Sequence, residues 1–483
     1  MVYNVVYEPS LQKLNDNCFV RAQKDLCYNL FGNFKMVRTS TRLQLPLFRE
    51  PSKEFAPTDR INVEATLRLL LQRDLTFKGE KTDYPAHKIH AFAAKFPPQL
   101  PRLFIRELTQ PGEYVLDPMS GSGTTLVESI LSERNSIGID LDPLAVMIAH
   151  VKTTTLNLPR CVQIGEEVLQ EARTELQSFT QSKLDEMYSS QAIAFFDYWF
   201  EKHTIQELAS LVRAIRRIQD SKINTFLQVV FSSVIITKNG ALTRARDLAH
   251  SRPHRDLNRK VDQSAFDAFA KRLHFTIESL DSIANISARA EVVRAKVQSL
   301  PLQDNSVELI VTSPPYAANA IDYMRGHKFS LIWLGYDPKL LTDIRKSYIG
   351  SELRATNLNF PSETANHIIH TLGLKAAQRA GVVAHYYREM ETALREMLRV
   401  LAHERAAVLV VGSSIIQGID IKAPTVLSEI AASVGFKVVG VARREILRDA
   451  RMMPTSHNST KNGIEARMHE EGVIGLIKPI SQR

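Results

Sequence analysis

The sequence predicts an α/β protein: a doubly wound sheet with a mainly helical insert in the middle of the chain. Three observations predict it. Apolar runs of strand length recur at 136–140, 292–297, 309–311, 406–412, 436–442 and 473–478, with helix-period segments at 126–132, 385–401 and 426–434. Strands that alternate with helices build such a sheet. Residues 112–140 read in order as strand, glycine turn, helix, strand and acid, which is the pattern of a nucleotide-binding half-sheet. Residues 156–288 carry helical spacing instead.

At 483 residues, the chain has room for two or three domains, or for one core with large insertions. It is 44% hydrophobic and 23% charged, which fits a globular protein and excludes a disordered or fibrous one. A net charge of +9 points to a polyanionic partner. Cys18, Cys27 and Cys161 form no CxxC pair and no zinc-like spacing, so a reducing compartment is expected. No secretory leader is expected at the N-terminus, and the longest apolar stretch, 226–236, contains two serines and is too short to span a bilayer. A cytoplasmic protein with no membrane partner is the expectation.

Taken in order, residues 1–80 read as an N-terminal extension, with Pro46, Pro51 and Pro57 ahead of a helix-like segment at 63–71. Residues 84–108 form a proline-rich loop and then a short helix. His87 and His90 have no second cluster to complete a metal site, so they are expected to be loop or phosphate-facing histidines, and no metal is expected. The strand through Asp117 leads into Pro118-Met119-Ser120-Gly121-Ser122-Gly123-Thr124-Thr125, whose glycines let the backbone approach a ligand closely. The second strand ends at Asp140, placed to hold two ribose hydroxyls. The turn has neither the Gly-Lys-Ser/Thr ending of a P-loop nor the GxGxxG spacing, so an adenosine ligand without a pyrophosphate is expected.

In the insert, Ile164, Val168, Ala172 and Leu176 repeat at helical spacing, as do Ile205, Leu208, Val212 and Ile215. Thr204 and Glu207 read as a capping box. The aromatic run 195–200 is expected to pack this helical part. Between helices, Lys238, Arg244, Arg246, Arg252, Arg255, Arg259 and Lys260 stand against only Asp247 and Asp256. Arginines mixed with Asn, Thr and His suit phosphate and base-edge contacts in DNA. Further on, Arg345, Lys346 and Arg354 are additional basic candidates in a polar region, 337–380.

The most informative stretch is 307–316. The apolar run Leu309-Ile310-Val311 must stop at Pro314-Pro315, which cannot donate ladder hydrogen bonds. A stiff loop follows at the carboxyl end of a strand, where open α/β sheets place their chemistry. It exposes the Ser313 hydroxyl, fixed carbonyls and the Tyr316 ring. These can accept hydrogen bonds from an amino group while stacking on a flat ring.

Together these blocks resemble the amino-methylating DNA methyltransferases that use S-adenosylmethionine, best the cytosine-N4 type. Residues 117–125 resemble that family's cofactor loop, DPFxGSGT, with Met119 in place of Phe; Thr312-Ser313-Pro314-Pro315-Tyr316 resembles its TSPPY catalytic motif. The resemblance implies a Rossmann-like seven-stranded methyltransferase sheet whose last two strands close it antiparallel. It divides the chain into an extension (1–80), a first core part (81–155), a target-recognition insert (156–290) and a second core part (291–483). It assigns cofactor binding to Phe96, Pro97, Asp117, Pro118, Ser120, Gly121, Gly123, Thr124, Asp140, Leu141 and Thr312, and catalysis to Ser313, Pro314, Pro315 and Tyr316. One departure stands out: the family often has an acid after the third strand to contact the adenine amino group, and this chain has Lys296 there. The resemblance also implies a double-stranded DNA substrate with a flipped base and a restriction endonuclease in the same system. Ser rather than Asp or Asn before Pro-Pro-Tyr favours cytosine N4. Methylation of adenine N6 or of RNA is the alternative, and a catalytically dead nucleic-acid-binding fold is the non-enzymatic one. A C5 mechanism would need a Pro-Cys nucleophile, and no cysteine follows a proline.

Overall fold

The structure is a computed structural model that describes residues 62–82, 84, 86–237, 242–245, 263–283, 286–317, 322–446 and 469–480. Seven strands form one sheet: β1 (Tyr114–Asp117), β2 (Asn135–Asp140), β3 (Ala290–Arg294), β4 (Val307–Thr312), β5 (Leu401–Gly412), β6 (Lys437–Glu445) and β7 (Glu470–Ile477). Their spatial order is β3-β2-β1-β4-β5-β7-β6. The first five run parallel. β7 lies antiparallel between β5 and β6. Strand order reverses between β1 and β4, and a ligand crevice belongs at such a switch point.

Both faces of the sheet are covered, which is why its central strands read as unbroken apolar runs. One face buries Leu309 and Val311 of β4 against α1 (Val63–Leu70) and α2 (Gln99–Leu108). The other buries Ile310 against α13 (Glu363–Val400) and α14 (Ala423–Val434). Leu67 and Leu70 of α1 are buried in the same cluster as Val473 and Ile477 of β7. The first helix is thus part of the sheet packing, and a boundary at residue 80 is too late because it cuts this layer from its core.

The remaining helices are α3 (Thr124–Leu131), α4 (Pro143–Thr153), α5 (Leu158–Gln177), α6 (Gln181–Met187), α7 (Ser190–Trp199), α8 (Lys202–Arg216), α9 (Ser221–Ile235), α10 (Ala265–Asp281), α11 (Tyr323–Leu331) and α12 (Pro338–Lys346). The insert is helical as expected, and three local expectations change. α8 begins at Lys202, so Thr204 is already inside it; Glu207 instead accepts from Ser264 Oγ at 3.1 Å and the Ala265 amide at 2.5 Å, at the start of α10. The aromatic run reaches beyond the insert: Phe196 stacks on Trp333 with centroids 3.7 Å apart, and Phe195 meets Phe329 of α11 edge-on. The polar region 337–380 holds α12 and the first turns of α13, whose path breaks at Ala376. Among the described residues no helix is long and apolar enough to cross a membrane.

Candidate active site

β1 and β4 are neighbours, so the loops that leave them meet. β1 ends on Asp117, a fully enclosed carboxylate. Thr312, the last residue of β4, donates from Oγ1 to Asp117 Oδ1 at 2.7 Å. Thr125, in the first turn of α3, donates to Oδ2 at 2.7 Å, and the Met119 amide to Oδ1 at 3.2 Å. One acid thus fastens the glycine turn, the helix behind it and the proline loop together. Burial pushes its carboxyl up to about 6, against the pull of these donors.

The glycine turn wraps onto β2. The Gly121 amide donates to Asp140 Oδ2 at 2.8 Å, and the Asp142 amide to Oδ1 at 2.9 Å. Gly123 has φ +80°, and a Cβ there would stand 2.9 Å from Ala149 Cβ, so glycine is required for α3 to lie against α4. Burial, and then the neighbouring Asp142 charge, push the Asp140 carboxyl up to about 7. Asp142 behaves oppositely. Its Oδ1 caps α4 through the Leu144 and Ala145 amides, while His327 Nδ1 and Tyr348 Oη lie 2.8 and 2.7 Å from its Oδ2. Burial would raise its carboxyl, but the charge and hydrogen bond of His327 hold it down at about 2.

These elements enclose a cleft of about 1060 Å³, its open mouth included. Phe96, Asp117, Pro118, Ser120, Gly121, Thr124, Asp140 and Leu141 line it together with Ser313, Pro315 and Tyr316. Four assigned residues stand outside the lining. Thr312 and Gly123 act behind it, as the bond to Asp117 and the close approach of Gly123 to Ala149 require. Pro314 is buried between its two half-buried neighbours, Ser313 and Pro315, and Pro97 lines a separate small pocket with His87, Lys95 and Arg444. The Ser120 and Ser122 hydroxyls are buried in the wall with no hydrogen-bond partner among the described residues. Two unspent hydroxyls, an acid at the end of β2 and the aromatic faces of Phe92 and Tyr323 fit a nucleoside with several polar groups. The adenosyl part of S-adenosylmethionine is such a group.

Several residues of the site were not visible as such in the sequence. Phe92 stacks on Tyr323 at 5.4 Å, and both belong to the cleft. Gln298 lines the cleft next to Lys296, and its Nε2 lies 3.4 Å from Glu389 Oε1. Tyr316 donates from its hydroxyl to Glu471 of β7 at 2.8 Å, and Arg444 of β6 bonds the other carboxylate oxygen. Gly350 has φ +81°, and a Cβ there would come within 2.4 Å of the Tyr316 carbonyl oxygen. Asp142, by contrast, has a local signal, the Asp-Pro of a helix start.

His87 and His90 are loop residues, as one of the two expectations had it. Both are buried; His87 Nε2 is 2.6 Å from Glu128 Oε1, and His90 Nε2 is 2.9 Å from Ser232 Oγ. Glu128 also takes Tyr84 Oη at 2.5 Å and Arg102 Nε at 2.6 Å. It ties the segment before the glycine turn to α3. Burial would raise its carboxyl, but the bonds from His87 and Arg102 hold it below the ordinary range. Among the described residues no group of three His, Cys, Asp or Glu side chains could hold a metal ion. Of the basic segment, Arg244 alone is described. Its guanidinium pairs with Glu201 at 3.1 Å and reaches the Asp197 carbonyl, so it braces the insert. Lys238, Arg246, Arg252, Arg255, Arg259 and Lys260 lie outside the described residues.

The DNA methylase family model N6_N4_Mtase matches residues 63–150, which run from α1 through the glycine turn to α4. The chain is 24% identical over 385 residues to Type II methyltransferase M.MvaI of Kocuria varians, covering 74% of this chain and 83% of that protein. It is 34% identical over 131 residues to M.MjaII of Methanocaldococcus jannaschii, covering 26% and 23% of the two chains. To M.BsoBI of Geobacillus stearothermophilus it is 24% identical over 332 residues, covering 61% and 63%. The match begins at the first helix that packs on the sheet, and the fold brings its two loops into one cleft. Residues 63–150 thus match the amino-methylating DNA methylases, the family whose methyl donor is S-adenosylmethionine, and similarity to a Type II methyltransferase extends over 74% of the chain.

Proposed function

We propose that the chain is a site-specific DNA methyltransferase that methylates the exocyclic N4 amino group of a flipped cytosine. The observation that carries this reading is the 2.7 Å bond from Thr312 to Asp117, which fastens the Ser313–Tyr316 loop beside the glycine turn in one cleft. Bound S-adenosylmethionine supplies an electrophilic methyl group. Asp140 accepts from the ribose hydroxyls, and Ser120 and Ser122 offer their unspent hydroxyls to the same ligand.

An exocyclic amino group is a poor nucleophile because its lone pair is delocalised into the ring. The Ser313 hydroxyl accepts one amino hydrogen and the Pro314 carbonyl the other, which turns the lone pair out of conjugation and towards the methyl group. The N–C bond forms as the methyl–sulfur bond breaks, the neutral thioether leaves, and the surplus amino proton passes by way of Ser313 to solvent in the open cleft. Such catalysis is positioning and electrostatics, with no covalent intermediate. Tyr316 stacks on the base, its hydroxyl held by Glu471. The base must leave the duplex to arrive there. Ser313, in place of Asp or Asn, supports cytosine over adenine. The names of the similar Type II enzymes support a restriction–modification setting with an endonuclease partner.

The test is transfer of a labelled methyl group to DNA, followed by digestion to nucleosides and mass analysis. N4-methylcytosine is the expected product. N6-methyladenine would overturn the base assignment, and label in RNA alone would overturn the substrate.

A further inference from the structure

We infer that the groove between α7, α11 and α12 holds the phosphates that flank the methylated nucleotide. This rests on the DNA methyltransferase reading above. The groove is lined by Phe195 of α7, by Asp322, Arg325 and Lys328 at α11, and by Arg345 of α12. It encloses about 840 Å³, its open side included.

Two guanidinium groups there share one carboxylate, with a lysine lining the same groove. Arg345 brings Nε and Nη2 each to 2.9 Å from Asp322 Oδ2, and Arg325 Nε stands 3.6 Å from the same oxygen. The Lys328 ammonium lies 5.6 Å from the centre of the Phe195 ring. Burial, joined by the nearby Arg325 and Arg345 charges and opposed by Asp322, holds the Lys328 amine below its usual range. Cations kept together against their own repulsion are relieved by a polyanion, and guanidinium groups match phosphate oxygens in geometry.

The position suits DNA rather than a free anion. α11 separates the groove from the cleft. Tyr323 lines the cleft, and His327, one turn on, bonds Asp142 in its wall. Arg325 and Lys328 line the groove on the other side. α11 begins a few residues after the Ser313–Tyr316 loop in the chain, and Asp322 is its N-cap residue. A flipped nucleotide stays tied to its neighbouring phosphates, so the groups that grip them must lie beside the cleft, and residues of α11 line both the cleft and this groove.

The test measures binding of a mixed-sequence DNA duplex as a function of salt. The proteins are the wild-type chain, Arg325→Gln, Lys328→Gln, the double variant, and Arg379→Gln of α13 as an exposed control. Each phosphate contact contributes about 0.9 to the slope of log affinity against log salt. The double variant should lose about 2 from that slope and bind at least ~10-fold more weakly at low salt. Its affinity for S-adenosylmethionine and that of the control for DNA should not change. Arg325, 47% exposed, can be replaced without opening the core, so its single variant should lose about 1 from the slope even if the double variant does not fold. A wild-type slope in Arg325→Gln and Lys328→Gln, with DNA binding intact, would place the phosphates elsewhere and leave the methyltransferase reading standing. Failure of the wild-type chain to bind DNA or transfer methyl to it would overturn both.

Discussion

Asp140→Asn separates what the acid at the end of β2 costs the fold from what it does for a ligand. In the folded protein its carboxyl is pushed up to about 7, first by burial and then by Asp142. In the unfolded chain it ionises near pH 4. Stability is therefore lost as pH rises between those two values, and the loss is complete above about 7. Three pH units at about 1.4 kcal/mol each set an upper bound of about 4 kcal/mol. Asp140 keeps an open face on the cleft, and screening there brings the expected cost to about 2 kcal/mol. Asparagine cannot ionise, so the stability of the variant relative to wild type should rise by about 2 kcal/mol from pH 4 to pH 8. The same change removes a charged acceptor for ribose hydroxyls. Hydrogen bonds to a charged group contribute roughly 1.5–3 kcal/mol, so affinity for S-adenosylmethionine should fall roughly 10- to 150-fold at pH 8. Denaturant unfolding at the two pH values and calorimetric titration with the cofactor read the two effects. An unchanged stability gap between pH 4 and pH 8, or an affinity loss below about threefold, would refute the reasoning.

Three further outcomes are expected. Thr312→Val removes a donor from a buried carboxylate and should cost about 1–3 kcal/mol in denaturant unfolding, together with lower methyl transfer; an unchanged midpoint would mean that Asp117 holds its loop without Thr312. Glu128→Gln turns a buried acceptor of three donors into a mixed donor and acceptor, and should cost about 3–5 kcal/mol and weaken cofactor binding by loosening the segment from 86 to 96; a loss below about 1 kcal/mol would contradict its part as a hub. Glu471→Gln weakens the hold on the Tyr316 hydroxyl, so turnover should fall about tenfold with cofactor affinity intact; equal loss of both would assign Glu471 to general stability.

The parts of this protein that the sequence makes legible are those whose physics is local. A glycine turn after a short strand, an acid 17 residues past Gly123 and a Pro-Pro stop after Leu309-Ile310-Val311 each announce themselves over a short stretch of chain. Their meeting at the β1–β4 switch point follows from topology. What stayed hidden depends on contacts over long separations. The partner of Asp142 is His327, 185 residues away, and the partner of Tyr316 is Glu471, 155 residues away. No periodicity encodes such pairs. Glu207 misled for a related reason: its spacing from Thr204 fits a capping box, but the helix already starts at Lys202, and a different helix claims the carboxylate. The groove cations are similarly dispersed: Arg345 stands out as basic, but no local pattern joins it to Arg325 and Lys328.

The bond between Thr312 and Asp117 also has a consequence for synthesis on the ribosome. The two residues are 195 apart in the chain. At about 5–20 residues per second, the acid emerges roughly 10–40 s before its partner. During that interval the glycine turn can fold against β2 and α4, but the carboxylate lacks the strand that completes its shell. The two halves of the cleft therefore become one only when β4 is made and inserted beside β1. A nascent chain cut off before that point carries the glycine turn without the proline loop.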